Sequence, residues 1–392
     1  MKKMQRVFIF ILMFSLLPLV PVSAQTTFKF GGYVKLDMMQ SKFHNGSVPI
    51  GNAIRDFHFP AAIPVGGTSD VFSTIDYHAK ESRFNLGTQT KIGDKDLKSF
   101  VEMDFLLAGQ GDERVSNSFN PRLRHFYFSY DQWLFGQTWT TFQILDIPDD
   151  LDFAGAADGI IFNRQPLIRY TRGGWQFAIE NAETTLDPYG GGGRITSGSA
   201  FFPDLVARYN FSGDWGNLSV AGLFRQLNYE YEDSLMVTKK ESAVGYGITF
   251  GGKIKVGKKD DLRFQVSGGS GMGRYAALNF ANSAVIKQDN TLKPTPSYLG
   301  FVGYRHFWND RLRTNVNFSG ISVDNDPMLA GNSVNKMAWS LSANLLYSPA
   351  PVLTFGFELM RGVRELESGV DGKFDRLQFS AKYAFGFAST VK

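Results

Sequence analysis

The chain has 392 residues, 41 Lys and Arg against 37 Asp and Glu, 15% aromatic residues, 41 Gly and no Cys. Without Cys there is neither a disulfide framework nor a thiolate metal site, and so even a charge balance leaves no footprint for nucleic acid. Beyond residue 24 no apolar run approaches the roughly 20 residues of a membrane-spanning helix. Any crossing of a bilayer must therefore be made by a closed barrel, in which every backbone group finds a partner.

The first segment reads as an export leader. Lys2, Lys3 and Arg6 precede an apolar stretch from Val7 to Val20, and Pro21-Val22-Ser23-Ala24 supplies a small-residue cleavage pattern. Cleavage is expected after Ala24, which makes residues 1–24 a signal peptide and 25–392 one barrel domain. The leader carries three of the positive charges, so the net +4 overstates the basicity of the remainder. The first strand is expected at Phe28-Lys29-Phe30-Gly31-Gly32-Tyr33-Val34, too close to the cut for an N-terminal plug.

From there the chain alternates with period two in segments of about ten residues, the pattern of porin strands. Residues 82–92 place Arg83, Asn85, Gln89 and Lys91 on one face, and residues 261–267 do the same with Arg263 and Gln265. In 311–319, Leu312, Val316 and Phe318 oppose Arg311, Arg313, Asn315 and Asn317. In 352–360, Leu353, Phe355, Phe357 and Leu359 oppose Thr354, Gly356 and Glu358. The last segment is the clearest: Leu377, Phe379, Ala381, Tyr383, Phe385 and Phe387 lie opposite Arg376, Gln378, Ser380, Lys382, Ala384 and Gly386. Apolar faces suit lipid and polar faces suit a water-filled interior, the inverse of a soluble barrel.

Connections alternate between tight and long. Tight turns are expected at Gly93–Asp96, Asp131, Arg172–Gly174, Ser212–Asn217, Gly257–Asp260, Trp308–Asp310 and Ser348–Pro351, all with turn-forming residues. Long loops are expected around 44–80, 109–120, 143–162, 183–203, 230–241, 272–296, 323–333 and 363–372. The reading is an all-β, antiparallel up-and-down transmembrane barrel of about sixteen strands, with short turns at the periplasm and long loops outside. Trp133, Trp175, Trp215 and Trp308, with Tyr130 and Tyr347, lie beside the short turns and suit an interfacial aromatic girdle. This places the protein in the bacterial outer membrane, with outer-membrane lipid around it.

In such a barrel the functional chemistry is the field of the lumen. Alternation assigns Lys35, Arg83, Lys91, Arg208, Arg225, Lys253, Lys255, Arg263, Arg305, Arg311, Arg313, Lys336, Arg376 and Lys382 to the interior. The acidic residues on the same faces are fewer: Asp37, Glu102, Asp104, Glu180 and Glu358. A basic interior attracts small anions, and Arg grips carboxylates bidentately. The third long loop instead carries Asp146, Asp149, Asp150, Asp152 and Asp158. Three readings of it stand open: a constriction folded into the barrel against the basic wall, a solvated surface loop, or a Ca²⁺ site. The spacing is not that of an EF-hand. His44, His58, His78, His125 and His306 are scattered, no nucleophile elbow or zinc-binding helix is present, and Gly190–Gly193 precedes no phosphate-binding helix. No enzyme, cofactor or metal is expected. A receptor or adhesin working through loop 44–80 is the alternative from another functional class.

One block is more specific. Gly32-Tyr33-Val34-Lys35-Leu36-Asp37, Ser82-Arg83-Phe84 and Val101-Glu102-Met103-Asp104-Phe105 lead to Arg122-Leu123-Arg124-His125. Next come Trp133-Leu134-Phe135-Gly136-Gln137-Thr138-Trp139-Thr140-Thr141-Phe142, Leu151-Asp152-Phe153 and Arg164-Gln165-Pro166-Leu167-Ile168-Arg169-Tyr170. The chain thereby resembles the DcaP-like outer-membrane porins, the second half matching mainly as generic barrel. The resemblance implies a sixteen-stranded homotrimeric channel for small anions such as dicarboxylates. It makes Arg83, Arg124, Arg164 and Arg169 the first candidates for anion contact. Two departures are expected: the helical N-terminal extension of some members is absent, and Ala388 to Lys392 follow the terminal Phe387.

Overall fold

Period-two alternation becomes a closed sheet. The computed structural model describes residues 25–67, 70–106, 111–112, 118–197, 201–232 and 235–391. The leader assigned to 1–24 and much of the loop expected at 109–120 lie outside the described residues. The barrel strands are β1 (Thr26–Phe43), β2 (Phe72–His78 continued by Arg83–Ile92), β3 (Lys95–Asp104), β4 (Arg122–Tyr130), β5 (Trp133–Trp139) and β6 (Arg164–Arg172). They continue with β7 (Trp175–Glu180), β8 (Asp204–Gly213), β9 (Gly216–Glu232), β10 (Thr238–Val256) and β11 (Asp260–Ser270). The last are β12 (Pro296–Phe307), β13 (Leu312–Val323), β14 (Asn335–Ala350), β15 (Leu353–Leu366) and β16 (Asp371–Val391). Consecutive strands pair antiparallel, and β16 closes on β1 from Thr26↔Val391 to Phe43↔Phe374. Sixteen strands thus leave no sheet edge in lipid.

Lipid and lumen divide the side chains as alternation demands. On β1, Phe28, Phe30, Val34 and Leu36 are exposed on the outer wall, while Lys35 and Asp37 are buried inside. The Trp and Tyr residues beside the short turns form an outward ring in which Trp133 packs tilted against Tyr170 at 4.9 Å and Trp175 edge-on against Tyr209 at 4.7 Å. That ring marks the periplasmic interface.

Three local expectations are corrected. The segment Phe72–His78, assigned to the first loop, is strand and pairs with Asp37–Phe43. Its outward Ile75 and Tyr77 and inward Thr74 and Asp76 carry the alternation. Arg311, assigned to a lumen-facing strand position, belongs to the turn instead, exposed and with its N–H donating to Asn309 Oδ1. Lys336 lies at a register shift between Asn335 and Met337, with its ammonium on Glu365. Beyond Phe387 the last strand continues, Ala388–Val391 pairing with Thr26–Lys29.

The apolar core lies inside the barrel toward the long-loop end. There the inward wall carries Val206, Leu223, Leu299, Ile321 and Val323, so these strands are apolar on both faces. Residues 142–161 and 272–280 fold inward to cover them with Phe142, Ile161, Met272, Tyr275 and Phe280. The first loop packs Val48, Ile54 and Ile63 against Phe43, Met360 and Phe374. Burying these faces removes apolar surface from water at about 25 cal/mol per Å².

Candidate functional site

The third long loop, residues 140–163, runs along the inner wall and meets the strands almost in their own order. Arg169 on β6 donates to Trp139 O at 2.5 Å and Thr141 Oγ1 at 2.8 Å. Arg208 on β8 donates to Gln143 O at 2.6 Å, and Asn217 on β9 to Asp146. Lys253 on β10 stands 4.0 Å from Asp146. Arg263 on β11 donates to Ile147 O at 2.5 Å. Arg305 and Arg313, on β12 and β13, reach Asp149 Oδ2 at 3.4 and 2.9 Å. Asn315 and Asn344 donate to Asp149 O at 2.9 and 3.0 Å. The Leu151 N–H donates to Glu358 on β15 at 2.9 Å, and its carbonyl accepts from Gln378 on β16 at 3.2 Å and Lys35 on β1 at 2.6 Å. The acidic loop is a hoop lying inside the barrel, clamped by charge-assisted hydrogen bonds.

Its far end is pinned by the first loop. Asp152 accepts from the His58 N–H at 2.8 Å and from Arg376 at 3.4 Å, and Arg376 also donates to Ile54 O. Asp158 accepts from His58 Nε2 at 2.8 Å and from Ser319 and Ser340. Gly159 allows the hoop to touch the wall: a Cβ there would lie 2.1 Å from Gly300 O. Arg225 serves the loop after β11 instead, donating to Gly271 O and Met272 O at 2.9 Å and to Asp204 at 3.1 Å.

Thus Arg169, Arg208, Arg225, Arg263, Arg305, Arg313 and Arg376 hold loops. Arg83, Arg124 and Arg164 stand elsewhere, on the wall that the acidic hoop leaves. A register shift beside Glu102 and Met103 turns both Arg124 and its neighbour His125 inward, where both are buried. Arg124 donates to Glu102 and Asp104, each at 2.7 Å. Arg122, not among the candidates for anion contact, pairs bidentately with Asp104 at 2.8 and 2.7 Å. Arg83 stands 3.7 Å from Glu102 and 5.1 Å from the Tyr33 ring.

Arg164 has no carboxylate of its own among the described residues. Its guanidinium lies 4.5 Å from the Trp139 ring centroid, which Arg124 also faces at 5.9 Å. Arg122 and Arg124 both face the Phe153 ring at 5.3 Å. Trp139 and Phe153 thus hold three guanidinium groups by cation–π contact, with Arg83 beside them on Tyr33. Arg83 Nε and Arg164 Nη1 are buried donors with no hydrogen-bond partner among the described residues. Unmet buried donors on cations suit an anion, and this is what the arrangement can do chemically.

Several known proteins share this architecture. The outer membrane channel DcaP of Acinetobacter baumannii superimposes with a TM-score of 0.73 at 20% identity, over 92% of this chain and 97% of that one. The anion-selective porin from Comamonas acidovorans gives a TM-score of 0.54 at 11% identity, over 92% and 100%. OmpT of Vibrio cholerae gives 0.52 at 9% identity, over 92% and 98%. No curated protein matches the sequence. The model of the DcaP outer membrane protein family matches residues 19–385, and the chain belongs to that family of outer-membrane β-barrels.

Proposed function

We propose that the protein is a porin through which small anions, dicarboxylates among them, diffuse passively into the periplasm. The observation that carries this reading is the Arg83–Arg122–Arg124–Arg164 group, with two buried N–H donors free to bind. Carboxylates meet guanidinium in a planar two-bond geometry, so the group favours them over halide of equal charge. Asp146, Asp149 and Asp150 then form the opposing acidic rim of the constriction, while the buried Asp152 and Asp158 anchor its far end. By the family resemblance the channel assembles as a homotrimer in outer-membrane lipid. The adhesin alternative loses support, because Ile54, Phe57 and Ile63 of the first loop are buried inside the barrel rather than displayed.

The test is single-channel recording of the refolded protein, with succinate titrated into KCl. Succinate is expected to block or carry current at millimolar concentration. Arg83→Gln with Arg164→Gln should weaken that effect about tenfold or more, since each lost charge-assisted bond is worth roughly 1.5–3 kcal/mol. An unchanged succinate response in the double variant would sink the assignment of these residues.

A further inference from the structure

On the outer wall, a groove of about 550 Å³ opens between β1, β13, β14, β15 and β16. Its apolar floor includes Leu341, Leu359 and Leu377, which the barrel interior does not use and which stand 47%, 63% and 41% exposed. At its long-loop end lie Lys42, Arg361 and Asp375. They form one cross-strand row, since Lys42 pairs with Asp375 and Asp375 with Arg361. Arg361 grips Asp375 with two bonds, of 2.7 and 2.9 Å. That carboxylate also meets His44 Nε2 at 2.8 Å. Lys42 has no ion-pair partner among the described residues, and Lys373, on the next outward position of β16, is exposed. The row therefore carries more positive charge than its one carboxylate offsets.

Depth decides what meets it. From Leu353, beside the periplasmic turn, β15 rises to Arg361 at roughly 3.3 Å per residue. With a tilt of about 40°, that puts the row about 20 Å above the periplasmic girdle, near the top of a lipid-facing band about 25 Å tall. The outer leaflet's headgroup level is there. Leu341 lies level with Arg361, and Leu359 and Leu377 one outward position below it, so apolar surface borders the row on its lipid side, and the cations sit where a headgroup phosphate would.

We propose that this groove is a binding site for a phosphorylated, multiply acylated glycolipid of the outer leaflet, one acyl chain lying on Leu341, Leu359 and Leu377 and a phosphate meeting Lys42 and Arg361. Arg361 is pre-oriented by Asp375, so little side-chain freedom is lost on binding. The site lies on the opposite side of the wall from the lumen arginines and is independent of which solute the channel carries.

The experiment is native mass spectrometry of the full-length refolded protein in detergent, titrated with bis-phosphorylated lipid A. A dephosphorylated glycolipid with the same acyl chains serves as the second probe. Lys42→Gln is expected to weaken lipid A binding about fivefold, and Lys42→Gln with Arg361→Gln about 25-fold, as each basic residue contributes against an anionic surface. The dephosphorylated probe should bind all three proteins equally and at the level of the double variant. Should the double variant fail to refold, Lys42→Gln alone decides, because it removes an exposed, unpaired cation. Equal binding of both probes by the wild type would overturn the proposal. So would a change of oligomeric mass in Lys42→Gln with lipid A binding intact, which would make this face a contact between copies of the chain.

Discussion

Asp150 lies in the acidic hoop with carboxyl groups around it and an amide opposite. Burial first, then the charges of Glu358, Asp152 and Asp149, push its carboxyl well above the ordinary carboxylate range. Asn317 Nδ2 donates to Asp150 Oδ2 at 3.3 Å, while Asn317 Oδ1 and Asp150 Oδ1 are both buried without partners. A protonated Asp150 supplies the missing donor, so the pair has the complement of a cyclic acid–amide dimer. A raised folded value means that ionisation costs the folded state more and more as pH rises above about 4. Asp149 has the opposite sign. Burial pulls it upward, but Arg313, with Arg305 and Arg263, outweighs that and holds it below the usual range. Its stabilisation is present above about pH 4 and fades below it. Hoop docking should therefore be firmest in mild acid. Asp150→Asn keeps a donor and an acceptor at every pH. It is expected to protect the amides of 149–152 from hydrogen exchange at pH 7, with the gain vanishing near pH 4. A gain larger in acid than at neutrality would contradict the account.

At the scale of elements, strands and loops were not equally legible. A strand in this wall has lipid on one side, so its pattern is set by solvent alone and can be read from Leu377 to Phe387 without knowing its neighbours. The loops obey contacts that are distant in sequence: Leu151 meets Lys35, Glu358 and Gln378. No local pattern announces that. The two interruptions were hidden for a related reason. Ala79–Ser82 breaks β2 so that Glu81 can meet Lys35 and Tyr33, and the shift beside Glu102 turns Arg124 and His125 the same way. One sequence signal did mark the inward loops, namely strands apolar on both faces near Leu223 and Ile321, where an aqueous lumen would call for polar side chains. Three of the hoop's anchors, Arg169, Arg208 and Arg263, are arginines on backbone oxygens, so removing such bonds should loosen it without unfolding the wall. Arg208→Gln with Arg263→Gln deletes two such bonds, to Gln143 O and Ile147 O, each worth roughly 1.5–3 kcal/mol. The expected result is flickering current and larger mean conductance in single-channel records, with the thermal midpoint of the barrel little changed. Steady current equal to wild type would mean that these bonds do not hold the constriction.

For the whole molecule, counting charges along alternating strands overstates the basic field. Most lumen arginines are neutralised by Asp149, Asp152, Asp204 and Asp261 or turned onto carbonyl oxygens. What remains is concentrated on one side, where Arg83, Arg122, Arg124 and Arg164 outnumber Glu102 and Asp104 and Lys382 lies 4.2 Å from the Tyr33 ring. The proposed anion preference then rests on a local cluster rather than a uniformly basic tube, and the sequence could show the residues but not their division of labour. The measurement that reaches this claim most directly is the zero-current potential of the refolded protein in a planar bilayer under a KCl gradient. An anion-selective potential is predicted, shrinking as ionic strength rises because the field is screened within about 10 Å at 0.1 M salt. A cation-selective potential, or stable insertion without conductance, would contradict it.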